Sequence, residues 1–176
     1  MQSVRDGDVN KLALLFERHH RSLFSYYFRL TRERDLSEDL VQEVFLRILK
    51  YRHTFRAEGK FTTWMYSIAR NAHIDYVRKW SREQPLDQVQ NEEHLDALAH
   101  PDGTDTADHL DLLQQALAVL SSDKRELIIL SRYQDMKYSD IGNLLGCTED
   151  TVKVRIHRAM KALKEEFFKL SGKDVQ

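Results

Sequence analysis

The 176-residue chain is 41% hydrophobic and 31% charged, and its 6 glycines and 2 prolines are few enough to predict an all-α protein. Its single cysteine excludes an intramolecular disulfide. Its N-terminus lacks the basic segment and apolar run of a signal peptide, and no stretch has the length of a transmembrane helix, so we expect a cytoplasmic protein. The net charge is −1, but the charges are segregated along the chain. Residues 1–82 carry 16 Lys and Arg against 10 Asp and Glu, whereas residues 83–111 carry nine acids and no Lys or Arg. The basic N-terminal part indicates a polyanionic partner.

Residues 1–82 are predicted to form a small helical domain. Apolar residues recur there at helical spacing in three stretches, over residues 12–30, 36–49 and 61–76. Asp35 is the predicted N-cap of the second helix, because an acid stands at the capping-box position three residues later. The three stretches predict a bundle of three to four helices.

The second of these helices carries a polar face. Asp39, Gln42 and Glu43 lie three and four residues apart and therefore share one side of the helix, whereas Leu40 and Val44 belong to its buried side. Fixed hydrogen-bonding groups on such a face suit docking against another helix, although a solvated helix surface has the same pattern. The solvated surface is the preferred interpretation of this segment by itself, and the candidate contacts with a protein partner are Asp39, Gln42, Glu43 and Leu46.

Aromatic and basic residues alternate between Tyr51 and Trp80, where seven aromatic side chains stand among six Lys and Arg. Basic groups follow a nucleic-acid backbone, and exposed rings stack on unpaired bases at about 1–3 kcal/mol per base. The alternative is a role in the core, which the helical spacing favours for Phe61, Trp64 and Tyr76. The candidate nucleic-acid contacts of this segment are Phe55, Arg56, Lys60, Phe61, Asn71 and Arg78.

An acidic linker is predicted over residues 83–108. Both prolines, Pro85 and Pro101, lie in it, and its apolar pattern is weak. Because its like charges repel one another and it has little apolar surface to bury, we expect a flexible tether. One short helical turn is predicted near Glu92–Ala99.

The C-terminal domain, residues 109–176, is predicted to contain a helix-turn-helix. Gly146 supplies the positive φ that ends one helix, and Thr148 is a good N-cap for the next. An apolar face follows at helical spacing, and no acid occurs between Thr151 and Lys164. A packed back and a basic front are typical of a major-groove recognition helix, and an ordinary hairpin with a solvated basic face is the alternative. The helices predicted for this domain span about 108–120, 123–133, 138–145 and 149–169.

This motif resembles region 4, the promoter −35 reader of extracytoplasmic-function sigma factors. The matching residues are Tyr138, Asp140-Ile141, Gly146, Thr151-Val152-Lys153, Arg155 and Arg158-Ala159. The chain departs from the family at Gly142, where Ala is usual, at Asp150, where Gly is usual, and at Val154, where Ser is usual. By helix propensity alone, Gly142 should loosen its helix by roughly 1 kcal/mol. The DNA contacts that the resemblance implies are Tyr138, Thr151, Lys153, Val154, Arg155, His157, Arg158 and Lys161.

The N-terminal domain is similar to region 2 of the same family. Asp39–Phe45 resembles its core-binding segment, and Phe55–Trp64 followed by Ser67–Asn71 resembles its −10 element, where a flipped base of the non-template strand is held. The resemblance implies two small helical domains joined by the linker, and a non-enzymatic factor that directs RNA polymerase to promoters. The implied partners are core RNA polymerase, through its β′ clamp helices and β flap, promoter DNA and an anti-sigma factor, without membrane insertion. The linker is expected near the RNA exit path, as an RNA-like placeholder or as a plain tether.

Two other functions are compatible with the residues. A regulator that acts alone would bind duplex DNA without polymerase, and a helical interaction module would show no salt-sensitive DNA binding. No metal, cofactor or catalysis is expected, because the eight histidines are scattered and no HExxH, phosphate loop or Ser-His-Asp set occurs. Cys147 lies in the turn of the helix-turn-helix, where a small buried side chain is its expected role.

Overall fold

A computed structural model of the protein describes residues 1–83 and 105–172. The described residues fall into two compact units, one on each side of the gap. All regular elements of these two described ranges are helical, which confirms the predicted all-α class. The predicted linker lies mostly outside the described residues, and so does the helical turn predicted near Glu92–Ala99.

Each unit consists of helices joined by short connections. The N-terminal unit contains α1 (Gln2–Arg5), α2 (Lys11–Thr31), α3 (Arg34–Lys50), a 3₁₀ turn (Arg52–Thr54) and α4 (Phe61–Glu83). The C-terminal unit contains α5 (Asp105–Val119), α6 (Ser122–Ile128), which continues into a π-helical turn (Ile129–Tyr133), α7 (Tyr138–Leu145) and α8 (Glu149–Leu170). The last four helices match their predicted spans to within a few residues, and α5 begins slightly earlier than expected.

The core of the N-terminal unit forms where α3 packs against both α2 and α4. The three predicted apolar stretches supply it, and Tyr26, Tyr27 and Ile48 are fully buried. Burying a phenol requires a partner for its hydroxyl. The Tyr27 hydroxyl donates to the Ala69 carbonyl at 2.9 Å, which joins α2 to α4. Burial is also the main cause that raises the pKa of Tyr27 above its ordinary value.

The start of α3 differs from the prediction. Its N-cap is Glu33, in an extended conformation with φ −108°, and Asp35 lies in the first helical turn, so the assignment of Asp35 as N-cap is wrong. The buried Ser37 hydroxyl donates to the Glu33 carbonyl at 2.5 Å and lies 3.2 Å from the Thr31 hydroxyl. Asp35 instead places its carboxylate where the positive end of the helix dipole favours an anion.

In the C-terminal unit, α8 packs against α5, α6 and α7. Arg125 of α6 closes the end of α5, because its guanidinium donates to the carbonyls of Leu117 and Leu120, each at 3.1 Å, and to that of Ala118. The last carbonyls of a helix lack partners within the helix, and a cation placed there satisfies them and opposes the dipole. One of the helices that support α8, namely α5, therefore has its C-terminal end closed by a charged donor.

Candidate functional site

The start of α8 is fixed as the sequence predicts. The Thr148 side chain accepts a hydrogen bond from the Thr151 backbone amide at 3.2 Å, which confirms Thr148 as the N-cap. Val152 and Ile156 are buried against the rest of the unit, as are Ala159 and Leu163. Because one side of α8 is packed along more than three turns, the opposite side is held outward in a fixed orientation.

The turn between α7 and α8 is tight. Gly146 has φ +66°, the left-handed value that the sequence predicts for it. The Cys147 amide then donates to the Gly142 carbonyl at 3.0 Å, and a Cβ built on Gly142 would lie only 2.6 Å from the Cys147 carbonyl oxygen. The expectation that Gly142 merely loosens its helix therefore needs correction, since its missing side chain makes room for this close approach.

The outward side of α8 carries the predicted DNA contacts. Val154 is 50% exposed, and Arg158 and Lys161 follow it at spacings of four and three residues, which places the three side chains in one row. Thr151 and Arg155 lie next to these three side chains on the same side of α8. His157 is exposed beside it, and Tyr138 lies half-buried at the first residue of α7. The five residues Thr151, Val154, Arg155, Arg158 and Lys161 are called the α8 row below.

Lys153 is placed differently from the α8 row. Its ammonium forms ion pairs with Asp150 at 3.2 Å and with Glu149 at 3.6 Å, both in the first turn of α8. Hydrogen bonding to Asp150 is the main cause that raises its pKa, followed by the charges of the two acids. A phosphate would have to compete with these two local carboxylates for the Lys153 side chain.

The predicted −10 residues do not all reach the surface. Phe55 is only 7% exposed, and its ring packs edge-on against Trp64 at 5.4 Å and Phe61 at 6.2 Å. Its ring cannot stack on a base in this conformation, which corrects the expectation for Phe55. Phe61 is half-buried against His19, whereas Arg56 and Lys60 are exposed in the loop that precedes α4.

Asn71 and Arg78 share a cleft of about 520 Å³ between the end of α3 and the middle of α4. Tyr51, which is 41% exposed, forms one part of its wall and has the Lys50 ammonium 5.3 Å from its ring centroid. The structure thus brings together two of the predicted residues and an accessible ring, and this space is called the α3–α4 cleft. Its remaining lining residues are Arg47, Ile68, Arg70, Ile74 and Asp75.

The predicted polar face of α3 is only partly exposed. Asp39 and Gln42 are exposed, and Leu46 is 63% exposed. Glu43 is half-buried, and its carboxylate accepts from the Arg47 guanidinium at 2.6 Å. Glu43 therefore has a partner on its own helix, and its contact with another protein stays a prediction.

Arg47 was missed by sequence reasoning. Its guanidinium donates to Glu43 and, at 2.6 Å, to Asp75 of α4, so one cation serves two helices. Partial burial disfavours its charge, but the two hydrogen bonds and the two carboxylates outweigh burial and raise its pKa. The spacing of four residues between Glu43 and Arg47 is visible in the sequence, whereas the contact with Asp75 is not.

Neither a metal site nor a membrane-spanning helix occurs among the described residues. Those residues contain no group of three or more His, Cys, Asp and Glu side chains able to hold a metal ion. No helix in residues 1–83 or 105–172 is long and apolar enough to cross a bilayer.

Comparison with known proteins gives matches in both units. Residues 15–83 match the family described as Sigma-70 region 2, and residues 110–163 match Sigma-70 region 4. The chain is 31% identical over 167 residues to the RNA polymerase sigma factor CarQ of Myxococcus xanthus, covering 94% of both chains. It is 29% identical to the ECF RNA polymerase sigma factor SigX of Bacillus subtilis, covering 86% of this chain and 81% of SigX.

A solved structure is also similar. The sigma factor RpoE of Bartonella quintana, crystallised with the anti-sigma factor NepR, superposes with a TM-score of 0.74 at 29% sequence identity. The match covers 89% of this chain and 96% of RpoE.

Proposed function

The chain belongs to the extracytoplasmic-function sigma factors of the sigma-70 family, and we propose that the α8 row, the α3–α4 cleft and the exposed face of α3 are its working surfaces. As a sigma factor it is a non-enzymatic subunit that binds core RNA polymerase and directs promoter-specific initiation. Region 4 reads the −35 element through its helix-turn-helix, and region 2 reads the −10 element.

The α8 row is the proposed −35 reader. A recognition helix must present a short row of side chains to base edges while its back stays rigid, and α8 has a buried back and a fixed N-cap. Arg155 and Arg158 can each pair with a guanine edge or hold a phosphate, and Lys161 suits a phosphate. The packed, capped and basic α8 is the observation that carries this proposal.

The α3–α4 cleft is the proposed site for a flipped base of the −10 element. Its walls offer an exposed ring in Tyr51 for stacking and the amide of Asn71 for hydrogen bonds to a base edge. Arg78 lies beside them and suits the phosphate that follows the base. Arg56 and Lys60, in the loop outside the cleft, are assigned to the strand backbone.

The proposed polymerase surface on α3 is narrower than the sequence indicated. Asp39, Gln42 and Leu46 form an exposed row at spacings of three and four residues, with polar groups beside a leucine. Such a row provides apolar area and fixed hydrogen bonds to a helical partner, for which we propose the β′ clamp helices. Region 4 is assigned to the β flap.

An anti-sigma factor is proposed as a further partner. RpoE, which is similar over most of its length, was crystallised with the anti-sigma factor NepR. We infer that this chain is regulated by a protein of that class and acts in the cytoplasm, where its polymerase partner is found.

Run-off transcription with core polymerase on genomic fragments tests the function. We expect promoter-specific transcripts only when the chain and core enzyme are combined, and gel shifts that require core enzyme. Tight duplex binding by the chain alone would instead support a regulator that acts without polymerase.

Arg158→Ala tests the residue assignment within this function. We expect it to lower promoter affinity by about 1–3 kcal/mol and to relax selectivity at one −35 position if Arg158 contacts a base. Lys169→Ala, which removes one positive charge at the far end of the same helix, outside the α8 row, is the matched control. Unchanged promoter binding by both Arg158→Ala and Arg155→Ala would remove α8 as the −35 reader.

A further inference from the structure

The first turn of α8 carries an ion pair with one strongly exposed member. The Lys153 ammonium lies 3.2 Å from the Asp150 carboxylate and 3.6 Å from that of Glu149. The Asp150 side chain is 90% exposed, compared with 53% for Lys153 and 50% for Glu149. The pair therefore presents a carboxylate to solvent with an ammonium directly beside it.

Asp150 lies on the side of α8 that carries the α8 row. It precedes Val154 by four residues, and Val154 precedes Arg158 by four, so the three side chains are neighbours one turn apart. Glu149 is rotated from Asp150 by about 100° around the helix axis, toward the side on which Ile156 is buried. Of the two acids, Asp150 is therefore the one aligned with the proposed DNA contacts.

The hydrogen-bonding groups of this ion pair match one base pair better than the others. A carboxylate only accepts hydrogen bonds, and in the major groove cytosine presents a donor, its N4 amino group. The guanine of the same pair presents two acceptors, O6 and N7, which suit the ammonium beside the carboxylate. Adenine also has an amino donor, but its N7 acceptor lies next to that group, and its partner thymine presents one acceptor beside a methyl group. A carboxylate next to an ammonium therefore favours a C·G pair.

We propose that Asp150, held by Lys153, is a specificity-determining residue that reads a C·G pair in the −35 element. This inference rests on the proposed function of α8, and it names the base that the first turn of this helix selects. The Asp150 carboxylate accepts from cytosine N4, and the Lys153 ammonium donates to the guanine of the same pair. Because the two groups are already side by side in the free chain, less side-chain freedom is lost on binding.

The charges of this turn also lower the affinity for other sequences. Two carboxylates and one ammonium give the turn a net negative charge, which opposes the approach of phosphate, and the positive end of the α8 dipole offsets part of it. Specificity is a difference between affinities, so a carboxylate that meets the acceptors of guanine or thymine contributes by repelling them. A purely structural role of Asp150, as an acid that stabilises the first helical turn, predicts no base preference.

The test is the selection of bound promoters by the holoenzyme from a library randomised across the −35 element. In the wild type we expect one base pair at which cytosine is preferred by about tenfold, the discrimination that one good base contact gives. Asp150→Asn should change this preference to adenine, because an amide both donates and accepts and pairs with adenine N7 and N6. Lys153→Met, which removes the ammonium, should lower the preference for C·G over A·T at the same base pair.

Glu149→Gln is the matched control, because it removes the other carboxylate that pairs with Lys153 and lies off the side of the α8 row. Its base preferences should equal those of the wild type. Preferences are compared between sequences within one variant, so a loss of folded protein cancels.

The outcomes separate this proposal from the proposed function. A wild type that is selective but prefers cytosine at no base pair would overturn the proposal. Unchanged preferences in Asp150→Asn, an equal loss of affinity for all sequences, or the same change in Asp150→Asn and Glu149→Gln would do so as well. A wild-type holoenzyme without any base preference across the −35 element would instead contradict α8 as the −35 reader.

Discussion

Replacing Gly142 by alanine should destabilise the helix-turn-helix, although alanine is the better helix former. The new Cβ would lie 2.6 Å from the Cys147 carbonyl oxygen, whereas ordinary contacts of this kind are 3.4–4 Å. The atom that the new Cβ would meet belongs to the backbone of the turn, which is also held by the hydrogen bond from the Cys147 amide to the Gly142 carbonyl. The turn, and with it the start of α8, must therefore move.

The magnitude follows from two opposing effects. Helix propensity favours alanine over glycine by about 1 kcal/mol, and overpacking a tight site costs about 1–3 kcal/mol. We expect a net loss of about 1 kcal/mol in the free energy of unfolding. Asn143→Ala is the matched control, because Asn143 is the next residue of α7 and is exposed, and there the same propensity argument predicts a gain of about 0.5 kcal/mol.

The assay can isolate the C-terminal unit in the whole chain. Both tryptophans, Trp64 and Trp80, lie in the N-terminal unit, so their fluorescence reports that unit and should not change. Hydrogen exchange of the α7 amides reports the helix-turn-helix. If Gly142→Ala slows exchange as much as Asn143→Ala does, the close approach is not limiting and the reasoning is wrong.

Two further changes test the scaffold and the polymerase surface. Arg125→Ala should lower the free energy of unfolding by about 2 kcal/mol, because three carbonyls at the end of α5 lose a charged donor. Lys124→Ala, a change at the neighbouring exposed residue, should alter the free energy of unfolding by less than about 0.5 kcal/mol. Equal melting temperatures for the two variants would contradict the role of Arg125 as a cap. Asp39→Arg should abolish co-purification with core polymerase at an unchanged melting temperature. Glu17→Arg, the same charge change at an exposed residue of α2, should leave co-purification intact. Retained binding by Asp39→Arg would exclude this face of α3 as the polymerase surface.

Features with a local cause were predictable from the sequence. The left-handed Gly146 and the Thr148 cap depend on residues within a few positions of each other, and the structure has both. Apolar periodicity located the core faces of the helices for the same reason, since a helix face is set by spacing alone. The N-cap of α3 was misplaced because Ser37 bonds backward to Glu33, an interaction that competes with the capping-box pattern.

Features that depend on tertiary contacts were not predictable in this way. Phe55 lies in a polar loop, so the sequence suggests that its ring is exposed, but in the fold the ring packs against Trp64 and Phe61. Arg47 and Asp75 are 28 residues apart, and nothing in either segment indicates that one helix brings its charge to the other. The residues that shape the α3–α4 cleft therefore become visible only when α3 and α4 are packed together.

We expect Val154 to give the proposed −35 reader of this chain a base preference of its own. The side chain is 50% exposed in the centre of the α8 row, at a position where the family usually has serine, and it has no hydrogen-bonding group. In the major groove the C5-methyl group of thymine is the base feature that makes favourable contacts with apolar side chains. We therefore expect a preference for a T·A pair opposite Val154. Selection of bound sequences by the holoenzyme from a library randomised across the −35 element measures this preference directly. Val154→Ser should weaken the preference at that one position while the other positions stay selective; a preference that persists in Val154→Ser would assign that base pair to a different residue.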